Sequence, residues 1–146
     1  MKIFIGADHN GYELKEKLEE YLKAKGYEVI DKGDNELKPD DDFPTYAAHV
    51  ASEVVGDEDA KGILLCGSGQ GVCMAANRYK GVRASLVWDQ DEAHSSRNDD
   101  NANIICLPAK KLELEQAKQL VDTWLETPFA AAPRFIRRIK QLDELS

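Results

Sequence analysis

No apolar run in these 146 residues approaches the roughly 20 that a membrane-spanning helix needs, so a membrane partner is not expected. Positive charge is scarce as well. Nineteen Lys and Arg stand against 27 Asp and Glu, a net charge of −8, whereas a nucleic-acid or anionic-membrane binder needs a basic face. Both classes are excluded as general partners, and any anion site must be local. Cysteine is sparse and odd in number: Cys66, Cys73 and Cys106 lack the paired CxxC spacing of zinc and redox sites. They read as reduced thiols, with no metal. Internal repeats and low-complexity linkers are missing, which argues against solenoids and strings of modules. The opening Met1-Lys2-Ile3-Phe4-Ile5 enters a strand without a secretory apolar segment, so a cytoplasmic location is expected.

What is present fits one domain over residues 1–146, with 42% hydrophobic and 32% charged residues. The chain is organised around Gly62 to Asn77: a short apolar strand at Ile63-Leu64-Leu65, a turn at Cys66-Gly67-Ser68-Gly69-Gln70-Gly71, then a helix. Before it, Lys2 to Gly6 reads as a strand, and Leu14, Leu18, Tyr21 and Leu22 recur at helical spacing up to Gly26. Tyr27 to Ile30 makes a second strand. The acidic loop from Asp31 to Asp42 reads as exposed and leads to a helix from Phe43-Pro44 through Val55. After the centre come a strand over Gly81–Val87, a polar helix over Asp89–Arg97 and a strand over Asn103–Leu107. A helix over Leu112–Leu125 and a last one carrying Arg134, Arg137 and Arg138 complete the chain. Strands alternating with helices predict an α/β fold, a Rossmann-like three-layer α/β/α sandwich around a five-stranded parallel sheet. Ligands in such sheets bind beyond the carboxyl ends of the strands, where Asp8, His9 and Cys66 to Ser68 converge.

The glycine turn suits an anion, because close backbone approach and a helix's positive end favour phosphate or an oxyanion, and favour thiolate over thiol. It is not a dinucleotide fingerprint, since Val72 stands where G-x-G-x-x-G counted from Gly67 needs its third glycine. Nor is it a cysteine-phosphatase loop, which needs arginine at that same position. A strand-end cysteine flanked by glycines and a hydroxyl suits proton transfer at a carbon next to a carbonyl; the plainer reading is a core cysteine. Asp8 and His9 suit sugar hydroxyls and phosphate, or simply cap a helix. Arg134 and Arg138, four apart, share one helical face and suit a phosphate clamp, or are ordinary surface arginines. Phe135, Ile136, Ile139 and Leu142 give the last helix, about 130–145, an apolar side suited to docking on a partner subunit or to covering its own core. His49, Cys73, Met74 and Cys106 read as structural.

With these residues assembled, the chain resembles the ribose-5-phosphate isomerase B family, which includes the bacterial galactose-6-phosphate isomerase subunits. The likeness rests on Gly6-Ala7-Asp8-His9-Asn10-Gly11-Tyr12, Val29-Ile30-Asp31-Lys32-Gly33, Asp42-Phe43-Pro44-Thr45-Tyr46-Ala47, Cys66 to Gly71, Ala75-Ala76-Asn77 and Val121-Asp122-Thr123-Trp124-Leu125. The resemblance implies a homodimer, sometimes paired into a tetramer, with its active site at the subunit interface. It implies no cofactor, a sugar-phosphate substrate, and interconversion of aldose and ketose through an enediolate. By position, Cys66 moves the proton between C1 and C2, Ser68 assists, and Gly67, Gly69 and Gly71 offer N–H groups to the enediolate. Asp8 contacts sugar hydroxyls or the ring oxygen, His9 with Arg134 and Arg138 of the partner binds phosphate, and Asp100 and Lys110 join the binding set. Three positions depart from the family. Asp99 stands in place of the ring-opening histidine, Phe135 replaces a histidine, and Lys110 an arginine. Either Asp99 or His94 opens the ring, or the substrate is an open or different sugar phosphate, or opening is left to solution.

Overall fold

Strict alternation of side chains along three central strands builds the two sides of the molecule. A computed structural model describes residues 1–145, with strands Lys2–Ala7 (β1), Glu28–Asp31 (β2), Lys61–Cys66 (β3), Ala84–Leu86 (β4) and Ile104–Pro108 (β5). All pairings are parallel, in the order β2-β1-β3-β5-β4. Ile3, Ile5, Ile63, Leu65, Ile105 and Leu107 point to one face, where they meet Tyr12–Ala24 (α1), Gln90–Asn98 (α4) and Leu114–Glu126 (α5) through Leu18, Leu22, Ala93, Leu120 and Trp124. Phe4, Leu64, Cys66, Ile104 and Cys106 point to the other and meet Phe43–Val55 (α2) and Gln70–Ala76 (α3) through Val50, Val54, Val72 and Ala76. Strands covered on both faces read as continuous apolar runs, which is why β1, β3 and β5 were legible without a period-two pattern. The three-layer α/β/α expectation holds.

The order of strands creates a crevice. From β1 the chain crosses to β2 on one side, then returns to β3 on the other, so the sheet reverses direction between the carboxyl ends of β1 and β3. The turn after β1 is pressed onto β3: the Gly11 N–H bonds to the Asp8 carbonyl at 3.1 Å, and a Cβ on Gly11 would fall 2.7 Å from Leu65 Cβ and 2.8 Å from its carbonyl oxygen. Backbone cannot give way as a side chain can. Gly11→Ala is therefore expected to destabilise the fold by about 1–3 kcal/mol, the usual cost of overpacking, read as a lower urea midpoint at unchanged slope.

Most boundaries shift by one or two residues from the sequence reading, and strand β4 and the acidic loop differ more. Strand β4 begins at Ala84 rather than Gly81, because Gly81 has φ +90° and Val82 closes a turn onto the Tyr79 carbonyl. The acidic loop is exposed over 35–40 and at Asp42, and not elsewhere. Its first residues prolong the β1–β2 pairing, with Lys32 N–H to Ile5 O at 2.8 Å and Ala7 N–H to Gly33 O at 2.8 Å, and the Tyr46 hydroxyl donates to Asp34 at 3.1 Å. The loop is thereby tied down beside the crevice.

The last helix, Pro133–Asp143 (α6), has no buried residue, and Ile136 and Leu142 are about half exposed at 51% and 49%. Asp143 pairs with Arg83 at 3.3 Å near its end, and the Ala130 N–H bonds to the Asn98 carbonyl just before it. No described helix is long and apolar enough to cross a membrane.

Candidate active site

A cavity of about 380 Å³ opens at the β1–β3 crevice, bordered by Asp8, Asn10, Phe43, Cys66, Gly67, Ser68, Gly71, Lys110 and Lys111. Two larger grooves, of about 820 and 550 Å³, lie against β4, α6 and the neighbouring turns and contain no thiol. Chemistry, not size, singles out the smaller one.

Cys66 is the last residue of β3 and 5% exposed; parity turns it to the α2–α3 side, where it packs in the core and also borders the cavity. It is at once a core cysteine and a residue of the cavity wall. The other two thiols are out of reach of the crevice. Cys106 is fully buried, and burial pushes its thiol well up; Cys73, drawn down by its hydrogen bond with Cys106, sits on α3 with its sulfur 3.5 Å from the Ala84 carbonyl. Beyond Cys66 the chain turns at Gly69, whose φ of +75° is a left-handed conformation that glycine adopts without strain. The Ser68 hydroxyl accepts from the Gln70 N–H at 3.3 Å, which leaves its own proton free to donate. Lys110 reaches the same turn because its N–H bonds to the Gly67 carbonyl at 3.0 Å, bringing a positive charge to the cavity's rim.

Asp8 is 5% exposed. Burial raises its carboxyl above the ordinary value, although the N–H groups of Asn10 at 3.0 Å and Gly11 at 3.3 Å pull the other way. His9 is half-buried beside it. Its backbone N–H and its Nδ1 both bond to one oxygen of Asp41, at 2.9 and 2.8 Å, and this bond raises the imidazole above its usual range. Atoms of Asp8, His9 and Asp41 lie within 4.8 Å of one another, and these hydrogen bonds account for the closeness. Asp41, Asn10, Phe43 and Lys111 were not singled out from the sequence. The only signal for Asp41 was the acid run Asp40-Asp41-Asp42, which reads as solvated loop.

His9 and Gly69 lie next to residues of the cavity wall without bordering it, and the remaining candidates do not border it within one protomer either. His94 is exposed on α4. Asp99 follows α4, half-buried, and accepts from the Asn98 side chain at 2.7 Å. Asp100 borders the 820 Å³ groove; desolvation and the neighbouring Asp99 raise its carboxyl, and Arg138 opposes them. Arg134 and Arg138 are exposed on α6, with no salt bridge within 4.0 Å among the described residues, and Arg134 stacks on Phe135 at 4.4 Å. Arg138 is near enough to Asp100 to act on its charge, and neither residue borders the Cys66 cavity.

Comparison with known proteins agrees with the sheet. Residues 3–142 match the ribose/galactose isomerase family. Ribose-5-phosphate isomerase B of Mycobacterium tuberculosis is 39% identical over 144 residues, covering 99% of this chain and 89% of that protein. A ribose 5-phosphate isomerase from Thermotoga maritima superposes with a TM-score of 0.94 at 45% identity, over 99% of this chain and 98% of that one. Ribose-5-phosphate isomerase B of Mycoplasma genitalium, solved with bound ribulose-5-phosphate, gives 0.94 at 41% identity, over 97% and 93%. On the evidence of its parallel sheet, its glycine turn after β3 and these matches along nearly its whole length, the chain belongs to the ribose/galactose isomerase family.

Proposed function

We propose that this aldose–ketose isomerase interconverts a phosphorylated aldose and ketose of the ribose 5-phosphate and ribulose 5-phosphate type, with Cys66 as the base. The observation that carries the reading is the cavity in which Cys66, Ser68, Asp8 and Lys110 meet at the switch point of the sheet. The thiolate of Cys66 takes the proton from C2 of the open-chain aldose, the electron pair moves into the C1–C2 bond, and the carbonyl becomes an enediolate oxygen. The proton held on the Cys66 sulfur exchanges with solvent, and delivery of a proton from that sulfur to C1 yields the ketose. The N–H groups of the glycine turn and the Lys110 ammonium stand ready for the negative oxygen, and donors fixed in advance cost no reorganisation as charge develops. Ser68 carries the hydroxyl proton between O1 and O2, and Asp8 holds sugar hydroxyls.

His9 and, from a second copy, Arg134 and Arg138 hold the phosphate. The exposed Ile136 and Leu142 on α6 support a homodimer in which this helix covers the partner's crevice. The grouping of Asp100 with Arg138 supports Asp99 and Asp100 reaching the site from that same partner. Three free thiols are in keeping with a cytoplasmic enzyme. A second reading is a different sugar phosphate, favoured by one feature: the carboxylate of Asp99 stands where relatives are expected to carry a ring-opening imidazole.

A panel of five- and six-carbon sugar phosphates, scored for aldose–ketose conversion by the purified chain, tests both. Conversion of ribose 5-phosphate is the expected result. Conversion of another member alone moves the assignment to that sugar, and saturable binding without any conversion overturns the catalytic reading.

A further inference from the structure

The acidic loop between β2 and α2 ends on a carboxylate that the proposed reaction does not use. Asp41 has a side chain 5% exposed, yet it sits in a loop whose preceding six residues are exposed. Its Oδ1 accepts from both the backbone N–H and Nδ1 of His9, while its buried Oδ2 has no hydrogen-bond partner. A buried carboxylate with a bare oxygen is costly unless a neighbour compensates its charge, and an imidazolium on its other oxygen does so. The Nδ1 bond also holds the ring in one orientation, and in the cationic form both ring nitrogens carry protons, the one on Nδ1 being given to Asp41.

We propose that Asp41 is a positioning residue for His9: it locks the imidazole so that Nε2–H is presented to the anionic group of the substrate. This rests on the sugar-phosphate reading of the site. Asp41 on the loop and Asp8 on the turn after β1 are the charged groups acting on His9, and both favour its cationic form. The sign follows. A histidine raised above its unfolded value of about 6.5 contributes stability that is fully present below that pH and is lost as pH rises through the raised value.

The test is the titration of the His9 ring, followed by NMR in the free protein, in wild type and in Asp41→Asn and Asp41→Ser. Expected is a fall toward the ordinary histidine value in both variants, partial restoration in Asp41→Glu, and no change in Asp34→Asn, which alters the same loop at the residue bonded to Tyr46. With sugar phosphate, Asp41→Asn should raise KM about tenfold at pH 7.5, the order of a lost charged hydrogen bond, with kcat within about twofold. Below pH 6 the ratio should close, because the ring is then protonated in both. A His9 titration unmoved by loss of the Asp41 carboxylate, or moved equally by Asp34→Asn, overturns the proposal. The titration needs no substrate, so a chain that converts no sugar phosphate would bring down the functional reading and leave this half of the test standing.

Discussion

Cys66→Ala is expected to lower kcat/KM by about 10²–10⁴-fold, the range that a positioned acid–base group supplies, while substrate still binds. The side chain is small and sits at the end of β3, so its loss leaves the sheet intact; circular dichroism and the urea midpoint should stay close to wild type. Isotope exchange gives the sharper readout. In heavy water the wild-type enzyme should carry solvent deuterium into the carbon-bound position it protonates, and the variant should not. Cys73→Ala is the matched control, because Cys73 packs against the Ala84 carbonyl, away from the crevice. A Cys66→Ala enzyme within fivefold of wild type, or a Cys73→Ala enzyme equally impaired, would remove Cys66 from the chemistry.

The second large effect concerns the two groups of residues that one protomer keeps apart. If Arg134 and Arg138 serve the partner's cavity, the double variant Arg134→Ala/Arg138→Ala should lose about 10²–10⁴-fold in kcat/KM, since each charged hydrogen bond contributes about 1.5–3 kcal/mol. Refolding it together with an equal amount of Cys66→Ala chain should then restore activity that neither has alone. In a mixed dimer the intact Cys66 of one chain faces the intact arginines of the other, so one site of its two is complete. With half of all dimers mixed, activity should return to about a quarter of wild type. No return on mixing would mean that each chain's arginines serve its own cavity or none, and the shared-site arrangement would fall.

These expectations draw unequally on sequence and structure. The apolar runs at Ile3 to Ile5, Ile63 to Leu65 and Ile104 to Leu107 announced buried parallel strands, because a strand covered on both faces has no polar side to show. Cys66 and the glycine turn were legible for a related reason: the local backbone itself demands Gly69 at a positive φ. Asp41 was not legible. A run of three acids carries no sign of which one will turn inward, and the burial of Asp41 depends on the loop being tied to β1 through Lys32, Gly33 and Asp34.

The amino-acid sequence by itself determined the layered α/β architecture, the cysteine at the tip of the middle strand and the excess of negative charge. Those properties follow from the order of side chains along a short stretch. Only the tertiary structure decided which thiol borders a cavity, that His9 leans on Asp41 across 32 positions of chain, and that Asp100 and Arg138 lie outside the Cys66 cavity of their own protomer. Such pairings are set by how strands are ordered in the sheet and how loops are fastened over their ends, and neither is written in any local window of sequence.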